Sequence, residues 1–81
     1  MNRFFMQQAQ QLQARLAKAQ EELSTITVEG SSGGGVVKVT MNGQQKILSV
    51  KIAPEAVNAE DIAMLEDLVL TAVSEALAKS Q

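Results

Sequence analysis

The chain contains no cysteine, histidine, tryptophan or tyrosine, one proline and two phenylalanines among 81 residues. Without cysteine there is neither a disulfide staple nor a thiolate metal site. Without histidine the usual general base near neutral pH and the commonest metal ligand are both missing. Phe4 and Phe5 are the only aromatics, too few for the stacking platform of a single-strand or RNA-binding sheet. No apolar run reaches the 18 or more residues of a membrane span, and no signal-peptide core is present. A cytoplasmic protein without a membrane or small-molecule partner is expected.

What is present first is a long amphipathic helix. Phe5, Ala9, Leu12, Leu16, Ala19, Leu23 and Ile26 recur at steps of four and three, and the glutamines at 7, 8, 10, 11, 13 and 20 fall off that line. This is an a/d seam with polar flanks. From residue 5 to 26 the helix would run about 33 Å, whereas strands of ordinary length span about 17–20 Å. Part of the stripe therefore needs a partner, most simply a second copy of the chain. A single domain of this size would also bury only about 60–65% of its unfolded surface as a monomer.

The helix should end near Ser24, because Thr25-Ile26-Thr27-Val28-Glu29 switches to alternation rich in β-branched residues. Gly30-Ser31-Ser32-Gly33-Gly34-Gly35 reads as a mobile loop or one that needs positive φ. Val36 to Met41 and Lys46 to Ile52 flank Asn42-Gly43, which suits a type I′ hairpin turn. A two-residue turn pairs Val37 with Leu48, and a four-residue loop pairs Val37 with Val50. Either register puts Val37, Val39, Met41, Leu48, Val50 and Ile52 on the core face. Lys38, Thr40, Ile47, Ser49 and Lys51 then take a wet face.

Pro54 ends the last strand, and Asn58 is a good N-cap for a helix from about Ala59 to Lys79, with Glu60 and Asp61 in its first turn. Ile62, Leu65, Val69, Ala72 and Ala76 form one apolar line, and Leu68, Leu70, Val73 and Leu77 widen it around the cylinder. A helix this apolar is buried from more than one side. The expected dimer interface therefore comprises Leu12, Leu16, Leu68, Leu70, Val73 and Leu77. The fold class is α+β: an α-β-β-β-α protomer, residues 1–81 forming one domain, with a three-stranded antiparallel sheet between a long first helix and a last one.

Catalytic and cofactor signatures fail on inspection. A P-loop from Gly30 would need Lys where Val36 stands, and a dinucleotide fingerprint would need glycine where Lys38 stands. The glycine stretch precedes a strand, so no helix N-terminus is offered to an anion. Glu66 and Asp67 are neighbours on a helix and diverge by about 100°. Ser31 and Ser32 have no histidine to activate them. Met41 and Met64 read as core fillers. No enzyme, cofactor or metal is expected.

Net charge is −2, which opposes nonspecific attraction to polyanions. The distribution is uneven: residues 1–20 carry Arg3, Arg15 and Lys18 and no acid, while residues 21–81 balance at −5. Cations early in a helix, with Glu21 and Glu22 late, oppose the macrodipole. Local rules broken in this way tend to mark function, although three cations on a solvated helix face are the plainer reading of the same pattern.

Three stretches carry a resemblance: MQQAQQLQ at residues 6–13, GSSGGGVVKVTMNG at 30–43 continuing to VKIAP at 50–54, and MLEDLV at 64–69. Together they resemble the YbaB/EbfC family of bacterial nucleoid-associated proteins over almost the whole chain. The resemblance implies a tweezer-like homodimer whose helical arms bind double-stranded DNA in nucleoid organisation or gene regulation. Carried over, the contacts fall on Arg3, Gln7, Gln11, Arg15 and Lys18, with Lys79 as a minor partner. Relatives often carry Lys where Gln7 stands and Asn where Ser74 stands. Fewer cations neutralise fewer phosphates, so weak, salt-sensitive binding with little sequence preference is expected. The competing reading is a protein-interaction module or small holdase that uses the same apolar arms.

Overall fold

A computed structural model describes residues 2–81, in the order helix, three strands, a 3-10 turn and a second helix. Helix α1 spans Arg3–Thr25. Asn2 caps it by accepting the Phe4 amide at 3.0 Å. At the other end the Ser24 and Thr25 hydroxyls donate back to the Glu21 and Glu22 carbonyls. Ile26 is already extended, at φ −83° and ψ 129°, and serves as the C-cap, so the last position of the seam falls outside the helix, just before the strand that follows. No residue of α1 is buried. The molecule measures 68 × 18 × 15 Å, and its radius of gyration is 19.4 Å, against about 12 Å for a compact chain of this length. Helix α1 is an arm projecting from a small body.

The body is an antiparallel sheet in the order β1-β2-β3, formed by β1 (Thr27–Ser32), β2 (Val37–Asn42) and β3 (Ile47–Ile52). Gly30, Ser31 and Ser32 belong to β1, in contrast to the loop expected of them; only Gly33, Gly34 and Gly35 turn, with φ of 61°, 74° and 97°. Gly30 is a strand residue for a packing reason. A Cβ there would lie 2.9 Å from Ala76 Cα and still closer to the Ala72 carbonyl oxygen and the Ala76 nitrogen. The second helix, α2 (Ile62–Lys79), crosses β1 at this point almost backbone to backbone.

The β2–β3 connection also differs from both expected registers. Val37 faces Ile52 and Val39 faces Val50, and a register shift then brings Ile47, not Leu48, opposite Met41. Ile47 thus sits across from a core residue and not in the wet row expected for it, as a bulge allows. Asn42-Gly43 does not form a type I′ turn: the positive φ falls on Gln45, at 65°. The Asn42 side chain instead accepts the amides of Gln44 and Lys46 at 2.9 and 3.0 Å, an Asx-type closure. Asn42 is 4% exposed, so Asn42→Ala strands two amides beside a buried site. A loss of about 1–3 kcal/mol is expected in urea unfolding.

Val37, Val39, Met41, Ala72 and Ala76 form the buried core, with Val28, Val36, Leu65, Leu68, Val69 and Val73 packed around it. Helix α2 covers β1 and β2. Val50 and Ile52, on the same side of the sheet as Val39 and Val37, therefore stay 47% and 41% exposed. Helix α2 starts later than its sequence pattern indicates. The Asn58 side chain accepts the Glu60 amide in a turn of its own, and Asp61 is the cap, accepting from Met64 at 3.2 Å. Glu60 and Asp61 thus precede the helix. Met64, expected in the core, is 58% exposed, since the face it occupies on α2 has no sheet beneath it.

Candidate nucleic-acid interface

Successive residues of a helix turn by about 100°. Arg3, Gln7, Gln11 and Arg15 follow one another at steps of four and Lys18 at a step of three, so all five fall within an arc of about 120°. The seam of Phe5, Ala9, Leu12, Leu16, Ala19 and Leu23 runs along the opposite side. Every one of the five polar residues is exposed. The only ion pair within 4 Å among the described residues joins Lys79 to Glu75, so none of Arg3, Arg15 and Lys18 is held in an ion pair. Their arc spans about 22 Å of helix. Glu21 and Glu22 continue the same arc toward the base of the arm. A polyanion is therefore favoured by the outer three-quarters of α1 and repelled at its root.

The root is held by the β2–β3 turn. The Gly43 amide donates to the Leu23 and Ile26 carbonyls, both at 2.9 Å, and the Gln44 side-chain amide donates to the Gln20 carbonyl at 2.6 Å. A Cβ at Gly43 would stand 2.8 Å from the Leu23 carbonyl oxygen, which is why glycine follows Asn42. Sequence reasoning missed this anchor, because Asn-Gly between two apolar strands carries a sufficient local explanation as a turn.

Lys79 lies apart from the other candidate contacts, on the body. Its ammonium pairs with Glu75 at 3.0 Å and donates to the Glu29 carbonyl at 2.9 Å, tying the end of α2 to β1. The hydrogen bond and charge of Lys79 hold the Glu75 carboxyl below the usual carboxylate range. A depressed pKa adds stability that is present above the ordinary Glu value, about 4.3, and is lost as pH falls through the folded value. Thermal melts across the acid range should therefore show wild type losing slightly more stability than Glu75→Gln. The group is exposed, so the effect is small.

The six expected interface residues divide. Leu12 and Leu16 are 57% and 59% exposed on the arm, and Leu70 and Leu77 are exposed on α2. Leu68 and Val73 are half-buried against their own core. A solvated surface of this extent on so small a body is apolar area without cover. No helix among the described residues is long and apolar enough to cross a membrane.

The likeness to known proteins covers the whole of this architecture. A family model described as the YbaB/EbfC DNA-binding family matches residues 1–81. The chain is 57% identical over 76 residues to a nucleoid-associated protein of Moorella thermoacetica, covering 94% of this chain and 73% of that one. It is 53% identical over 76 residues to a nucleoid-associated protein of Syntrophobacter fumaroxidans, covering 94% and 69% respectively. A crystal structure of an uncharacterized protein from Helicobacter pylori shares the fold at a TM-score of 0.85 and 17% identity, covering 99% of this chain and 85% of that one. Fold, motifs and relatives agree, and the family is one of DNA binding and not of catalysis: the chain belongs to the YbaB/EbfC DNA-binding family.

Proposed function

We propose that this protein is a nucleoid-associated homodimer that binds double-stranded DNA through its helical arms, with little sequence preference, in the bacterial cytoplasm. The observation that carries the proposal is the arm itself: a helix with no buried residue, whose three cations form no ion pair and whose polar face is set opposite an apolar seam. Arg3, Arg15 and Lys18 contact phosphates, and Gln7 and Gln11 donate to phosphates or base edges. Lys79 is a minor partner, because its charge is shared with Glu75. Relatives more than half identical are named as nucleoid-associated proteins, which supports the same setting and a role in nucleoid organisation or gene regulation.

Dimerisation covers the apolar surface that one chain leaves open, namely the seam at Leu12 and Leu16 together with Leu70 and Leu77, with Leu68 and Val73 at its margin. Anisotropy titration of labelled duplex DNA at several salt concentrations tests the reading. Binding that is weak, indifferent to sequence and lost steeply with salt is the expected outcome. No binding at low salt contradicts it. The uncovered seam also suits a protein-docking arm or small holdase. A pull-down whose partners survive nuclease treatment favours that second reading.

A further inference from the structure

The wet face of the sheet carries an arrangement that folding alone disfavours. Val37, Val39 and Met41 point toward α2 and are buried, so Lys38 and Thr40 point the other way. Lys38 stands directly opposite Lys51 across β2 and β3, and Ser31 stands opposite Lys38 across β1 and β2. Like charges in facing positions of an antiparallel pair are destabilising. Both lysines are exposed, and neither has a carboxylate within 4 Å. The nearest acid of the face is Glu29, one row away opposite Thr40, diagonal to Lys38. Thr40 and Ser49 face each other in that row and add hydroxyls.

Two further features open this row to a large anion. The turn beside it is Gly33-Gly34-Gly35, where a Cβ at Gly34 would meet nothing within 4 Å and one at Gly35 would meet the Lys38 side chain. No bulky side chain therefore guards the end of the row. The charges of the body are also sorted by layer. The strands and the turn between the last two carry Lys38, Lys46 and Lys51 against Glu29, while α2 carries Glu66, Asp67 and Glu75 against Lys79, with Asp61 at its cap. A polyanion approaching the body meets an acidic helix layer on one side and a basic sheet on the other.

We infer that the open face of the sheet, centred on Lys38 and Lys51, is a second contact surface for the phosphate backbone of duplex DNA, separate from the arms. The inference rests on the DNA-binding reading above. A phosphate bridging the two ammonium groups removes their mutual repulsion, which gives the pair a reason to persist on a surface where one threonine would serve the sheet better.

The test is a salt series of duplex titrations on the full chain, comparing wild type, Lys38→Gln with Lys51→Gln, and Lys38→Arg with Lys51→Arg. The glutamine pair should bind more weakly, with a slope of log affinity against log salt shallower by up to about 1.8 per protomer, at roughly 0.9 per phosphate contact. Its melting temperature should hold or rise as the like-charge pair disappears, which separates lost contact from lost fold. The arginine pair should keep the wild-type slope. Wild-type affinity and slope in the glutamine pair would overturn the inference and leave the arms as the DNA-binding element. Failure of wild type to bind at low salt would overturn the DNA-binding reading itself, and this inference with it.

Discussion

Replacing Gly30 by alanine should cost this protein most of its stability. Gly30 is not in a left-handed conformation, so the added methyl meets no backbone strain of its own. It meets α2: the Ala72 carbonyl oxygen, the Ala76 nitrogen and the Ala76 Cα all lie inside the space a Cβ needs. These are main-chain atoms of a helix and cannot turn aside as a rotamer can. Helix α2 must lift from the sheet, and with it the contacts that bury Ala72, Ala76, Val37, Val39 and Met41. Overpacking typically costs about 1–3 kcal/mol where side chains can adjust; against backbone a loss above about 3 kcal/mol is expected. Gly34→Ala is the informative companion. It has open space but a φ of 74°, so it should lose only about 1–2 kcal/mol, the ordinary penalty of a left-handed residue. Urea midpoints measure both, and a Gly30→Ala variant within 1 kcal/mol of wild type would disprove the close crossing.

The second large effect concerns DNA and not folding. Arg15→Ala with Lys18→Ala removes two of the three cations on the polar face of the arm while touching nothing buried. Stability should stay within about 0.5 kcal/mol of wild type. Affinity for duplex DNA at low salt should fall on the order of a hundredfold, if each charge-assisted phosphate contact contributes about 1.5 kcal/mol. The loss should be similar for unrelated sequences, because phosphate contacts position a protein without reading bases. The salt slope should become shallower by about 1.8 per protomer. An unchanged slope would instead show that neither residue meets a phosphate.

The elements legible in the sequence were those whose signal is periodic. The four-and-three spacing from Phe5 to Leu23 marks the arm, and the switch to β-branched residues from Thr25 falls where the helix ends. Alternation in Val37-Lys38-Val39-Thr40-Met41 assigns the faces of β2 correctly without knowledge of the turn. What stayed hidden depends on contacts between elements. Gly30 looks like part of a loop because it adjoins serines and three more glycines; only the path of α2 reveals it as a crossing point. Asn42-Gly43 has two uses, closing a turn and making room for the end of α1, and the local one masks the other. Asn58 and Asp61 are both competent caps, and the turn that Asn58 makes with Glu60 decides between them.

The polar face of the arm was legible for the same periodic reason, since steps of four align Arg3, Gln7, Gln11 and Arg15 in any helix. That its cations form no ion pair was not, because this depends on how the side chains are placed. The cross-strand meeting of Lys38 and Lys51 was also beyond reach. It depends on a register that neither candidate turn length produces.

The proposed binding mode places DNA against the outer face of α1. Amide chemical-shift mapping of the isotope-labelled protein during titration with duplex DNA at low salt tests this residue by residue. Progressive, salt-reversible shifts are expected at Arg3, Gln7, Gln11, Arg15 and Lys18, with little change along the acidic face of α2 at Glu66 and Asp67. Shifts confined to α2, or a spectrum unmoved by DNA in the first eighteen residues, would contradict it.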